Sequence, residues 1–389
     1  PLGGRLSSPV IAEGKVFVAS RDTHTVWALD QAGGKPAWSY TAGGRVDTPP
    51  TIYKGMTLFG SADGWVYCLR AADGKLAWRL RAASEDVRMM NRDQLESPWP
   101  VHGSVLIQEG VAYIAAGRSS FLDGGIHVLA VDPVTGKVLR ENRVYSPDAK
   151  TGDMVKALMP YDMPPDALGA LPDILVGDGQ NVFMRHMKFD PASLAYSSAA
   201  KKSKSKGKGG RKAPQIRRQK LQTEVDHLMS TAGMLDDSWF SQTYWTINGQ
   251  SHCKLLVYDA ETAYGVKPFA GTARHSRAIF KPATAGYTLF AGQRKARKPR
   301  WSKKIPVRIR GMVIAGNNLF VAGSPDVVDP KDPWAAIEGR SGAVLWAVSS
   351  ADGAKPAEDQ LDAPPPFDGL AAAHGRLYIR PPDRKEVCL

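Results

Sequence analysis

The stretch that decides the fold occurs twice. Val26-Trp27-Ala28-Leu29-Asp30-Gln31-Ala32-Gly33-Gly34-Lys35-Pro36-Ala37-Trp38 aligns, 40 residues on, with Val66-Tyr67-Cys68-Leu69-Arg70-Ala71-Ala72-Asp73-Gly74-Lys75-Leu76-Ala77-Trp78. Pro9-Val10-Ile11 and Val16-Phe17-Val18 lie upstream of the first copy, and Pro50-Thr51-Ile52 and Thr57-Leu58-Phe59 upstream of the second. Each unit therefore reads as four short β-rich runs divided by Gly, Asp and Lys turns, the pattern of a propeller blade. Runs such as Val16-Phe17-Val18 suit strands covered on both faces by neighbouring blades. Gly33-Gly34 and Asp73-Gly74 supply the positive-φ positions of a tight turn. Trp38 and Trp78 follow that turn at equivalent places, where a large flat ring fills the gap between adjacent blades. One unit cannot cover its own faces, so units must stack into a closed ring.

Outward from this pair the pattern continues and loosens. A third unit contains Ala112-Tyr113-Ile114-Ala115, Ile126-His127-Val128-Leu129 and Thr135-Gly136-Lys137, with Arg140 near the place of the tryptophan. A fourth runs from Asp173-Ile174-Leu175-Val176 through Asn181-Val182-Phe183-Met184, a fifth holds Lys254 to Asp259, and a sixth holds Tyr287-Thr288-Leu289-Phe290 and ends after Trp301. A seventh spans Met312 to Gly353, and an eighth opens at Leu370 and stops at Leu389. The expectation is an all-β chain, residues 1–389, forming one β-propeller domain of about eight four-stranded blades. Gly34, Gly74, Gly136, Trp38 and Trp78 are its structural repeat positions. The eighth unit has about two strands of its own. Residues Pro1 to Ser8 are expected to supply the missing partners, because closure leaves no exposed edge. Pro1 falls inside the pattern, so the chain reads as N-terminally truncated.

The string Ala28-Leu29-Asp30 with Gly34-Lys35 and Trp38 resembles the repeat of the pyrroloquinoline-quinone-type propellers. These include the quinoprotein dehydrogenases and the propeller lipoprotein of outer-membrane protein assembly. The match is specific over residues 8–84 and partial over 103–143 and 312–361. Leu235-Asp236-Asp237-Ser238-Trp239-Phe240, Tyr244-Trp245 and Val321 to Val328 resemble a bacterial subgroup of these proteins. The resemblance implies an eight-bladed ring and a periplasmic or cell-surface location. It does not imply catalysis, because repeat and cofactor site are separate features. In the dehydrogenases of this family the quinone lies over the central channel, beside a calcium ion held by Glu, Asn and Asp, a catalytic Asp, a Trp floor and often a vicinal Cys pair. This chain has no vicinal Cys pair, and no matching motif carries the oxygen ligands a hard cation needs. No cofactor is expected; pyrroloquinoline quinone with calcium is the alternative.

Charge is unevenly spread. The net value is +13, yet residues 201–220 carry ten basic and no acidic side chains and residues 294–304 seven more, so the remainder is −4. Residues 199–220, rich in Lys, Gly and Ser, are expected to be a disordered insertion, too poor in apolar surface to offset their ordering entropy. The segment Lys201 to Lys220 could attract a polyanion in a salt-dependent way, but it lacks aromatic residues for base stacking. The bland alternative, a solvated insertion, is preferred, since long loops cost little extra closure entropy. Cys68, Cys253 and Cys388 are far apart, which leaves no zinc knuckle or disulfide framework.

Asp236, Asp237, Trp239, Tyr244 and Trp245 form the densest cluster of acidic and aromatic residues and are the candidate partner-binding group. Blade packing plus a turn is the plainer reading of the same residues, and the preferred one. His252-Cys253 reads as a surface pair rather than a metal site. Asp63-Gly64 and Asp123-Gly124 read as turns. No catalytic residue can be named: no Ser-His-Asp arrangement, phosphate-binding Gly loop or zinc-protease motif is present. The leading expectation is a non-enzymatic scaffold that binds a protein partner through its loop faces or channel mouth. A quinone-dependent dehydrogenase and a polyanion tether are the alternatives.

Overall fold

The computed structural model describes residues 6–91, 93–146, 152, 174–185, 187–198, 228–230, 245–246, 253, 255–268, 283, 287–293, 298–379 and 387–388. Among them are six four-stranded antiparallel sheets, each with its strands in sequence order. Blade 1 comprises Val10–Ala12, Lys15–Ser20, Thr25–Asp30 and Pro36–Thr41. Blade 2 comprises Thr51–Tyr53, Met56–Gly60, Trp65–Arg70 and Leu76–Arg81. Blade 3 comprises Leu106–Gln108, Val111–Ala116, Ile126–Val131 and Val138–Val144. Blade 4 comprises Leu175–Gly177, Val182–Met184, Met187–Phe189 and Tyr196–Ser198. Blade 5 comprises Leu255–Tyr258, Thr262–Pro268, Tyr287–Gln293 and Trp301–Ile305. Blade 6 comprises Val307–Ala315, Asn318–Pro325, Ala343–Ser349 and Ala357–Leu361. A closing sheet of three strands, Leu370–Ala373, Arg376–Ile379 and Val387–Cys388, follows.

The first strands of successive blades touch one another from the closing sheet through blades 1 to 4, and again from blade 5 through blade 6 to the closing sheet. They line the inside of a ring, and the fourth strands lie outermost. Each seam between blades is a separate apolar cluster. Phe17, Val26, Trp38, Phe59, Tyr67 and Leu69 fill the seam between blades 1 and 2. Val16, Val18, Leu29 and Tyr378 join the closing sheet to blade 1. This arrangement is a β-propeller, whose sheets become dry only by stacking on their neighbours.

Strand direction fixes two ring faces. Hairpins between first and second strands share one face with turns between third and fourth strands. Turns between second and third strands share the other with the crossovers to the next blade. On the first face, Glu13-Gly14, Lys54-Gly55, Glu109-Gly110 and His374-Gly375 have positive φ at both residues, 49° and 70° in the first case. Two-residue loops of that shape match the twist of the flanking strands.

The tryptophans have a partner that the sequence reading did not name. The Trp38 indole lies so close over Gly74 that a Cβ there would sit 2.6 Å from its ring, and its N–H donates to the Ala71 carbonyl at 3.0 Å. Trp78 covers Gly136 in the same way and donates to the Pro133 carbonyl at 3.2 Å. Trp301 covers Gly353 and donates to the Ser350 carbonyl at 3.0 Å. Each indole thus seats on the third-to-fourth turn of the next blade, at a glycine with φ between 71° and 74°. Blade 4 has Leu194, φ 55°, in place of that glycine, and blade 3 pairs Arg140 against Ala130 where blade 1 pairs Trp38 against Ala28. Ring and glycine are therefore replaced together.

One expectation is corrected. The expected fifth and sixth units are one blade, because Thr262–Pro268 pairs with both Leu255–Tyr258 and Tyr287–Gln293. The described residues hold six four-stranded sheets and the three-stranded closing sheet; about eight blades were expected. Leu6 bridges Ser20 within blade 1, Val387–Cys388 is the third strand of the closing sheet, and residues 1–5 of the expected closing segment lie outside the described residues. Residues 199–220 lie outside the described residues.

Candidate interaction face

The crossover face of blades 1 to 3 carries a buried polar cluster that the sequence reading missed. Asp47 lies on the crossover from blade 1 to blade 2, four residues before the inner strand. Its side chain is 2% exposed. One carboxylate oxygen accepts from the Nε of Arg45 at 2.7 Å and of Arg21 at 2.9 Å. The other lies 2.7 Å from Nδ1 of His102. His102 occupies the equivalent place on the next crossover, four residues before Leu106. Burial pushes the Asp47 carboxyl up, but the His102 contact and the Arg45 and Arg21 charges outweigh it and hold the group well below the usual carboxylate range.

Arg45 links this acid to a second one. Its Nη1 lies 2.8 Å from Glu96, which also accepts from Asn91 at 2.8 Å and lies 3.8 Å from Arg118. Glu96 ends a short hairpin, Met89–Asn91 with Gln94–Glu96, built into the crossover from blade 2 to blade 3. Arg118 comes from the loop between the second and third strands of blade 3 and also donates to the Ser97 carbonyl at 3.4 Å. The Trp99 indole N–H donates to the Asp123 carbonyl of that loop at 2.7 Å. Beside this network, Tyr67 donates its hydroxyl to Asp63 at 2.5 Å, and Asp63 accepts the Trp65 N–H at 3.0 Å. Burial and the Asp63 carboxylate hold the Tyr67 hydroxyl above its ordinary range. Asp63-Gly64 is a turn as read from the sequence, and its acid has this further task.

The network fixes the hairpin and the blade 3 loop, and both present apolar side chains to solvent. Met90 and Leu95 lie directly opposite each other on the hairpin, 65% and 58% exposed. Phe121 and Leu122 on the neighbouring loop are 43% and 54% exposed. Large apolar side chains gathered on a polar rim mark a contact surface.

Of the sequence-derived candidates, Asp236, Asp237, Trp239 and Tyr244 lie outside the described residues. Trp245 is half-buried in a two-stranded ladder: Trp245–Thr246 pairs with Met229–Ser230, and Trp245 exchanges backbone hydrogen bonds with Cys253 at 2.7 and 2.8 Å. Cys253 is fully buried, and burial pushes its thiol up to about 12. Cys68 is buried and raised to about 12 by the same cause. His252 lies outside the described residues. Arg21, Arg45, Asp47, Glu96, His102 and Arg118 went unnoticed. The available signal was the matching position of Asp47 and His102 before successive inner strands.

The donor set bears on the quinone alternative. A calcium ion needs several converging oxygen donors. Among the described residues no three His, Cys, Asp or Glu side chains converge, and the buried acids Asp47 and Glu96 face arginines. These described residues do not fit that group.

Ring, repeat and seam geometry define the class: the described residues form a β-propeller, and its first blades are similar to those of the pyrroloquinoline-quinone-repeat type. Within that class, residues 1–158 match the family model described as outer membrane protein assembly factor BamB. The alcohol dehydrogenase (quinone) dehydrogenase subunit of Komagataeibacter europaeus is 30% identical over 146 residues, 35% of this chain and 19% of that protein. Outer membrane protein assembly factor BamB of Xanthomonas campestris pv. campestris is 29% identical over 116 residues, 30% of this chain and 27% of that protein. The matched region thus spans under a third of either curated relative. The crystal structure of BamB from Moraxella catarrhalis superimposes with a TM-score of 0.50 at 14% identity, covering 97% of this chain and 93% of that one. That likeness shows the fold.

Proposed function

We propose that this chain is a non-enzymatic propeller scaffold of the bacterial cell envelope whose crossover face, at blades 1 to 3, docks a protein partner. The carrying observation is the apolar set Met90, Leu95, Phe121 and Leu122, presented by a hairpin and a loop that Arg45, Glu96 and Arg118 lock together. A surface held in advance loses little entropy on binding. The match to the assembly-factor model over residues 1–158 supports both the scaffold role and the envelope location. On this reading the ring has eight blades in a single domain. One more blade stands between blades 4 and 5, around Met229–Ser230, Trp245–Thr246 and Cys253. Residues 199–220 enter there as a solvated insertion, and Asp236 to Trp245 belong to that blade.

A photo-crosslinking side chain at Leu95 tests the proposal in cells. One defined protein should be captured there and none at Leu76, which is 45% exposed on the outer strand of blade 2. Met90→Lys with Leu95→Lys should abolish the capture while leaving thermal unfolding unchanged. Equal capture at both positions, or insensitivity to the double substitution, would remove the reading.

The dehydrogenase relatives favour a second reading, a pyrroloquinoline-quinone-dependent dehydrogenase of alcohols. Adding pyrroloquinoline quinone and calcium to the purified chain decides it: dye-linked alcohol oxidation would displace the scaffold reading. The basic run Lys201 to Lys220 motivates a polyanion tether. Deleting residues 200–220 should then abolish polyanion binding with the fold intact, and unchanged binding excludes it.

A further inference from the structure

Where blades 2 and 3 meet on the crossover face, a serine and an imidazole come together. The fourth strand of blade 2 ends at Arg81, and the chain leaves it through Ala82 and Ala83, whose N–H groups both donate to the Gly64 carbonyl at 3.0 Å. Both alanines are buried in the seam between blades 2 and 3, and Ser84 after them is exposed. His127 is the second residue of the third strand of blade 3, at the end that lies on this face. The Ser84 hydroxyl oxygen lies 2.8 Å from Nε2 of His127.

The surroundings set the imidazole up as a base. Its ring is half-buried, and the Trp99 indole meets it edge-on, with centroids 6.5 Å apart and planes at 77°. Trp99 is itself held by its N–H on the Asp123 carbonyl. Arg143 pairs with His127 across the ladder. Burial first, then the Arg143 charge, hold the imidazole below its ordinary value of 6.5, against a smaller opposing pull from Glu141. His127 is therefore neutral at pH 7 and can accept the hydroxyl proton. Ser61 and Ser104, by contrast, donate to backbone carbonyls, which cannot carry a proton away. A serine hydroxyl is a weak nucleophile until an adjacent base takes its proton. Exposed apolar side chains lie on both chain segments. Val87, three residues past Ser84, is 44% exposed, and Phe121 and Leu122 belong to the loop that leads into His127.

We propose that Ser84 is a covalent attachment site, which takes an acyl group with an apolar chain from a thioester or activated ester. The Ser84 Oγ bonds to the donor's carbonyl carbon, and the bond from that carbon to its sulfur or oxygen breaks. The Oγ proton passes through His127 Nε2 to the leaving group. The Arg143 charge, felt at His127, also favours the negative oxygen of the tetrahedral intermediate. The chain is the acceptor of the group and not a turnover catalyst. An acyl chain laid over Val87, Phe121 and Leu122 enlarges the apolar surface of the crossover face. Attachment goes beyond docking, and its test needs no partner, so either reading can fail alone.

The full 389-residue chain is mixed with p-nitrophenyl octanoate, and p-nitrophenolate release is followed alongside peptide mass spectrometry. One octanoyl group should appear on Ser84, and Ser84→Ala should abolish both signals there. His127→Gln leaves the hydroxyl in place without its base and should slow acylation about 100-fold. The rate on the unaltered chain should be level at neutral pH and fall as pH drops below 6.5, where the imidazole gains its proton; the His127→Gln chain should lose that dependence. Both side chains sit at the rim, so thermal unfolding should be unchanged in either variant. p-Nitrophenyl acetate should acylate Ser84 about tenfold more slowly, because it lacks the apolar chain. Acylation spread over lysines with Ser84 unmodified, or full-rate modification of Ser84 in the His127→Gln chain, would overturn the proposal. Equal rates with the two esters would overturn the apolar-chain assignment.

Discussion

Asp47 and Asp326 lie on the same face of the ring, at blades on either side of the closing sheet, and both acids are almost wholly buried. Asp47 has two guanidinium groups and an imidazole within hydrogen-bond distance. Asp326, directly after the second strand of blade 6, has neither carboxylate oxygen hydrogen-bonded among the described residues. Near it Arg308 donates to the Tyr287 hydroxyl at 3.3 Å, and burial first, then the Asp326 charge, work to raise that hydroxyl, which ends above its ordinary range. The apolar skeleton of the repeat is kept around the ring, while each stretch of rim carries its own electrostatics. Rim chemistry is not part of what makes a blade fold, so it is free to specialise.

The sharpest way to break this contrast is to remove Asp47. Asp47→Ala leaves Arg45 buried beside Glu96 alone and should cost about 3–5 kcal/mol in denaturant unfolding, the usual penalty for breaking a buried pair. A loss under about 1 kcal/mol would show that the cluster is incidental. Trp38→Ala should cost about 3–5 kcal/mol by emptying its seat on Gly74. Arg140→Ala, at the equivalent place in blade 3, should stay within about 1 kcal/mol.

Acid sharpens the same comparison. Because the Asp47 carboxyl is held low in the folded state, its stabilising contribution is complete above the ordinary carboxylate value of 3.8 and is lost as pH falls below it. Asp47→Asn should flatten the acid side of the stability profile, followed by thermal unfolding between pH 6 and about 2. Asp326→Asn should raise stability by about 1 kcal/mol, since it replaces a buried carboxyl group that has no hydrogen bond among the described residues. A destabilisation above about 2 kcal/mol there would mean that Asp326 has a partner after all. Smallest of all, Arg340→Ala breaks an exposed pair with Asp332 and should change stability by less than about 1 kcal/mol.

What the sequence made legible follows from range. Trp38, Trp78, Gly74 and Gly136 were readable because a blade's signals recur locally and at a fixed spacing. Even so, the pairing of each ring with the next blade's glycine spans 36 residues for Trp38 and Gly74 and needed coordinates. The rim cluster was invisible because Arg21, Asp47, Glu96, His102 and Arg118 come from separate loops with no period. The fifth unit was split in two because Thr262–Pro268 reads weakly as a strand: Gly265 and Pro268 interrupt it, and its neighbours on either side then look like two units. The two-residue hairpins were overlooked because Glu13, Lys54 and His374 are unusual first residues for such turns, tolerated beside a glycine.

The tryptophan seats give the ring a direction. The three seated indoles, Trp38, Trp78 and Trp301, reach forward in sequence, from the rim of one blade to the turn of the next, so blades 2, 3 and 6 are each clasped by their predecessor. A mechanical load that peels sheets apart would meet strong clasps at the first two seams and a weaker one where Arg140 faces the turn of Leu194. In single-molecule pulling, that joint would part before its neighbours and release the chain in a block containing blades 1 to 3.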